Sequence, residues 1–150
     1  MTSRMGIFCR LRRTSSAQTL DLDKNWDFVH FALTGRTAED EEDTSAPDPL
    51  GFIADDRLGA GRGDDHGFGP ARLFGADKVR AIAEALDALD DETIATRLAS
   101  REITRCYPCN EAVPRLDDAD VALIRSLASE VRAWVRACSA AHDELVVETY

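Results

Sequence analysis

The sequence contains no apolar run near the roughly 20 residues that a membrane-crossing helix needs, so no span is expected. Its basic residues are outnumbered. With 18 Lys and Arg against 28 Asp and Glu, the net charge is −10. That balance disfavours nucleic acid and anionic membrane as partners, because both are held through clustered cations. It leaves a basic protein as the expected partner class, although acidity also serves solubility alone. The first residues, MTSRMGIFCRLRRTSS, carry basic groups but lack the apolar core of a secretory signal, which makes the cytoplasm the expected compartment. Only four cysteines occur, and in an intracellular chain they read as free thiols rather than a disulfide framework. Asp55-Asp56 and Asp64-Asp65 lack the spacing of an EF-hand loop and read as solvated. No cofactor and no internal repeat is expected.

Against these absences stands one dense apolar stretch, Leu20 to Gly35 (LDLDKNWDFVHFALTG). Leu22, Trp26, Val29 and Leu33 recur at helical spacing, with His30 on the same face. Asp21 or Asp23 is suited to cap its start and Gly35 to end it, since glycine adopts the left-handed conformation without a Cβ clash. Phe28 and Phe31 widen the apolar surface past one stripe, which predicts a central helix buried on more than one side.

The 150 residues read as one domain. Met1 to Arg4 read as a tail. Gly6 to Arg12 alternates with the period of a half-buried strand, and Thr14 to Thr19 is a polar connector. Residues 36–70 form a long acidic, glycine-rich loop with ten acidic and three basic residues. Its first part, AEDEEDTSAPDP, has the composition of a solvated, mobile segment. Ala71 to Phe74 reads as a short strand. Asp77 to Leu89 is an amphipathic helix with Val79, Ile82, Ala83, Leu86 and Leu89 on one face. A shorter helix is expected from about Glu92 to Ser100, with Ile94 and Leu98 inward. Ile103 to Pro114 is a loop. Asp117 or Asp118 then caps a long helix to about His142, with Val121, Ile124, Ala128, Val131, Val135 and Cys138 inward. Leu127 and Trp134 lie beside that face, and Trp134 reads as core. Glu144 to Tyr150 alternates as a closing strand. The expected class is α+β: a small sheet including the N- and C-terminal strands, packed against the central helix and the long C-terminal helix.

LDLDKNWDFVHFALTG and GFGPARLFGADKVRAIAEAL carry a resemblance to the YfbM-like family of small bacterial proteins, a domain of unknown function. Met5-Gly6-Ile7 resembles the family's start, Tyr107-Pro108 its tyrosine-proline pair ahead of the long helix, and Glu144 to Tyr150 its closing strand. The resemblance spans roughly Met5 to Tyr150. Two departures stand out: family members usually carry an extra helix where only Arg13 to Thr19 stands, and the acidic loop Ala38 to Pro49 is longer than usual. The resemblance implies an α+β fold and brings no reaction with it.

Three constellations suit chemistry. Cys106-Tyr107-Pro108-Cys109 has the CxxC spacing of a redox dithiol or half a zinc site. It sits in an inter-helix loop, however, and Cys9, Cys138 and the three histidines are scattered, so a structural role is the expectation. His30, near Asp27 and one turn after Trp26, suits an acid/base histidine oriented by a carboxylate; a core-edge histidine bonded to backbone is the alternative. Gly67 to Arg72 offers backbone N–H groups and an arginine to an anion, or is simply a turn. Two functional readings follow. In the first, a non-catalytic protein-binding module presents Glu39, Asp40, Glu41, Glu42 and Asp43 to a basic partner, in an antitoxin-like or immunity-type role. In the second, a small-ligand binder or enzyme uses a pocket near Trp26, His30, Arg72 and Tyr107.

Overall fold

Alternating apolar residues at the two ends of the chain meet in one sheet. In a computed structural model, which describes residues 7–43, 48–62, 70–106 and 116–150, β1 (Cys9–Arg13) pairs antiparallel with β5 (Leu145–Thr149), Leu11 opposite Val147. β2 (Thr19–Asp23), β3 (Ala60–Arg62) and β4 (Ala71–Phe74) complete an antiparallel sheet in the order β2-β1-β5-β4-β3. Cys9, Leu11, Leu22, Phe74, Leu145 and Val147 point into a single core. On the opposite face Glu148 accepts from Arg10 Nε at 2.6 Å and Arg12 Nε at 2.8 Å, tying β1 to β5 across the ladder.

Four helices in the described residues contribute to that core: α1 (Trp26–Thr34), α2 (Ala76–Ala88), α3 (Asp91–Leu98) and α4 (Asp118–Ala140). The amphipathic pair follows its sequence period. α2 buries Val79, Ile82, Ala83 and Leu86, and α4 buries Ile124, Ala128, Val131, Val135 and Cys138 against it. Leu89, Val121, Leu127 and Trp134 pack at the margin of the core. Asp117 caps α4 by accepting from the Asp120 N–H at 2.8 Å. Asp90 does the same for α3 through Thr93.

The central stretch divides differently from its helical spacing. Leu20 to Asp23 is strand, not helix, and α1 starts at Trp26 with Asn25 at the cap position. The reason is a second period in the same residues. Thr19-Leu20-Asp21-Leu22-Asp23 also alternates, which suits pairing with β1, and Leu22 is the inward strand residue. Asp21 therefore accepts from the Asp23 N–H at 2.8 Å in a turn rather than capping a helix. Asp23 takes a left-handed φ of 52°. The other end is as expected, with Gly35 left-handed at φ 75° and bonding back to Phe31. All nine residues of α1 are buried.

Residues 36–62 are not a featureless loop. Glu39–Asp43 and Pro49–Gly51 form 3-10 turns, and β3 lies in the glycine-rich part. Arg101–Arg105 forms a further 3-10 turn that spacing did not indicate. The tail Met1 to Arg4, residues 44–47, 63–69 and 107–115 lie outside the described residues.

Candidate functional site

His30 sits in the middle of α1 with no solvent exposure. Its Nε2 lies 2.8 Å from Oε1 of Glu41, a residue of the acidic turn that is itself 4% exposed. The orienting carboxylate is therefore Glu41 and not Asp27. Asp27, also buried, accepts from the Ala38 N–H at 2.8 Å and pins the start of the turn to α1. Arg36 donates from Nε to the same Glu41 oxygen at 3.0 Å. Burial pushes the imidazole pKa down to about 4, against the opposing pull of Glu41. At neutral pH the ring is therefore uncharged, and its Nε2–H donates to the carboxylate. Its Nδ1 has no hydrogen-bond partner among the described residues.

A second buried carboxylate extends this polar layer. Asp55, 1% exposed, accepts from Arg57 Nε at 2.9 Å and Nη2 at 2.8 Å, which lowers its pKa against the cost of burial. Arg57 Nη2 also lies 3.9 Å from Glu41 Oε2. Arg72 reaches in from β4 and donates to the backbone carbonyls of Asp55 (2.8 Å), Ile53 (2.6 Å) and Leu58 (3.3 Å). It is a brace for residues 53–58, its charge set against carbonyl oxygens rather than offered to a ligand.

These contacts bear on two expectations. Within the acidic turn Glu41 faces the core, and Asp40 accepts from Thr37 at 2.9 Å and pairs with Arg105. Glu39 is exposed, and Glu42 and Asp43 close the turn by backbone. The described members of the expected pocket, Trp26, His30 and Arg72, are all buried. Trp26 donates from Nε1 to Ile7 at 2.9 Å, His30 is enclosed, Arg72 is 8% exposed, and Tyr107 lies outside the described residues. Gly67 to Gly69 and Cys109 also lie outside them. Cys9 and Cys138 are buried free thiols, and Cys106 is buried as well. Among the described residues no group of three or more His, Cys, Asp or Glu is placed to hold a metal ion, and no helix is long and apolar enough to cross a membrane.

Among the described residues an open concavity lies elsewhere. A cleft of about 690 Å³ lies where the β3–β4 edge meets the first turns of α2. Its walls are Leu58, Leu73, Phe74 and Ile82, and Arg57 and Lys78 bring two cations to it. Gly59 belongs to the same wall with φ +81°, and a Cβ there would stand 2.9 Å from the Phe74 ring. Lys78 is exposed and has no hydrogen-bond or ion-pair partner among the described residues. Sequence reasoning missed this site because its residues come from three separate segments, a glycine-rich stretch, the strand β4 and the helix α2, with no shared period to mark them. A smaller cleft of about 250 Å³ separates α3 from α4, and there Arg132 already donates to Asp91 and to the Leu89 carbonyl.

A family model described as "Domain of unknown function (DUF1877)" matches residues 6–147. Among solved structures, the fold is similar to that of a protein of unknown function, YfbM from Escherichia coli. The TM-score is 0.70 at 20% identity, over 93% of this chain and 98% of that one. At that identity the likeness speaks for the fold alone. No curated protein matches.

Proposed function

The chain belongs to the DUF1877 family, and since that membership brings no activity with it, we propose from the chain's own geometry that the domain binds a small amphipathic anion in the β3–β4/α2 cleft. The observation that carries this is the pairing of an apolar wall with cations on a protein of net charge −10. The cleft's volume falls within the 300–1,000 Å³ or so usual for small-molecule sites, where apolar walls supply affinity and a few charges fix orientation. Leu58, Leu73, Phe74 and Ile82 take the apolar body, and Lys78 takes the acidic head, with Arg57 lining the same cleft. Lys78 comes first because Arg57 is already paired with Asp55. Among the described side chains of the acidic turn Glu39 is exposed, Asp40 is half-buried and Glu41 is buried, so the turn adds less to the reading than the cleft does.

Calorimetric titration with octane-1-sulfonate below its aggregation range tests the reading. Saturable binding is expected, weakened roughly fivefold in Lys78→Ala, the scale of one half-exposed ion pair. Octanol, which lacks the charge, is expected to bind more weakly than the sulfonate. No saturable binding, or binding indifferent to Lys78, would remove the proposal.

A further inference from the structure

Arg57 belongs to two polar assemblies at once. It lines the cleft that Lys78 also lines, and it holds Asp55 while standing 3.9 Å from Oε2 of Glu41. Glu41 in turn meets His30 at 2.8 Å and Arg36 at 3.0 Å through its other oxygen. A short series of charged contacts therefore leads from the mouth of the cleft to an imidazole with no solvent exposure.

We infer that anion binding in the cleft and protonation of His30 are linked, with Arg57 as the connecting residue. This rests on the binding reading given above. An anionic head at the cleft competes with Glu41 and Asp55 for the Arg57 guanidinium. As that cation turns toward the ligand, Glu41 is left less compensated, and a less compensated carboxylate 2.8 Å from the ring favours imidazolium over imidazole. Because such coupling is reciprocal, acid tightens ligand binding and ligand eases protonation of His30.

The surroundings of His30 give the link its sign. Glu41 from the 3-10 turn and Asp55 from the segment after Pro49–Gly51 favour the charged ring, while Arg36 beyond the end of α1 opposes it. Of the groups on or beside α1, Asp27 is engaged with the Ala38 N–H, and Arg97 of α3 donates to the Ala32 carbonyl at 3.1 Å. β2 turns Leu22 inward, and the buried face of α4 is apolar apart from the Cys138 thiol. Burial holds the proton off until about pH 4, so the link is silent at neutral pH and grows as the medium acidifies toward that value.

The test follows the His30 ring by NMR across pH, with and without octane-1-sulfonate, whose head group stays ionised throughout. Saturation is expected to raise the His30 pKa by about half a unit, equivalent to roughly threefold tighter binding in acid. Arg57→Gln is expected to raise it with no ligand present, which probes the connection independently of any cleft occupant. Glu41→Gln is expected to keep binding and lose its pH dependence. Binding that leaves the His30 titration unmoved, or an Arg57→Gln titration identical to wild type, overturns the linkage while sparing the binding reading. Absence of binding overturns both.

Discussion

The helix α4 and the segment from Arg36 to Arg62 both close over the core, by opposite means. α4 presents Ile124, Ala128, Val131 and Val135, a row in which any residue can be exchanged for another apolar one of similar size. The segment presents Glu41, Asp55 and the guanidinium of Arg57, which hold their places only because each has a named counter-group. Apolar closure tolerates loss in proportion to the area removed. Polar closure fails when one partner goes, because the other stays buried and uncompensated.

That contrast can be broken at its strongest point by Glu41→Ala. Removing the carboxylate from His30 and Arg36 is expected to cost about 3–5 kcal/mol in urea or thermal unfolding. The double variant His30→Leu/Glu41→Leu is expected to recover part of that loss, since apolar residues of similar volume replace the buried pair, while the part-exposed Arg36 is left with Asp48 at 3.7 Å. Ile124→Ala is expected to cost about 2–5 kcal/mol through cavity formation. Unlike the Glu41 variant, its cost should be the same at pH 7 and pH 5.

Acid alone sharpens the same comparison. His30 titrates at about 4 in the folded protein against an ordinary value of 6.5. The unfolded chain therefore binds the proton first, so the stability this group contributes is complete above pH 6.5 and is lost as pH falls toward 4. The loss amounts to about 3 kcal/mol and precedes that of the carboxylates Asp143 and Glu148, whose pKa values are lowered. A melting profile flat between pH 6.5 and 4.5 would contradict it. The smallest expected effect is at a helix end: Asp117→Ala should lower stability by about 1 kcal/mol through loss of the α4 cap, with no pH dependence above 5.

What sequence disclosed tracks the same division. α2, α4, β4 and the terminal strands are legible because burial there repeats with the period of the element, as at Val79, Ile82 and Leu86. The β2–α1 boundary misled because Leu22, an inward strand residue, stands four positions before Trp26, an inward helix residue. Two elements thus imitate one helix. Glu41 was illegible for a different reason: among five acidic neighbours nothing local marks which one turns inward. Its identity depends on His30 and Arg36 arriving from α1. Asp143 shows the same blindness. It accepts from Arg13 at 2.9 Å, from Thr14 at 3.0 Å and from Ser15, fastening the end of β1 to the start of β5 from a position that reads as ordinary loop.

The buried thiols have a use as clocks. Cys9 lies in β1, Cys106 at the end of the 3-10 turn Arg101–Arg105, and Cys138 in α4. Burial pushes the Cys9 thiol up to about 12 and Cys138 up to about 11, so neither forms thiolate at neutral pH while the fold is intact. Alkylation at each position must wait for that element to open. The two hands at Cys9 and Cys138, moving at separate rates, would time the sheet and the long helix without any probe being introduced.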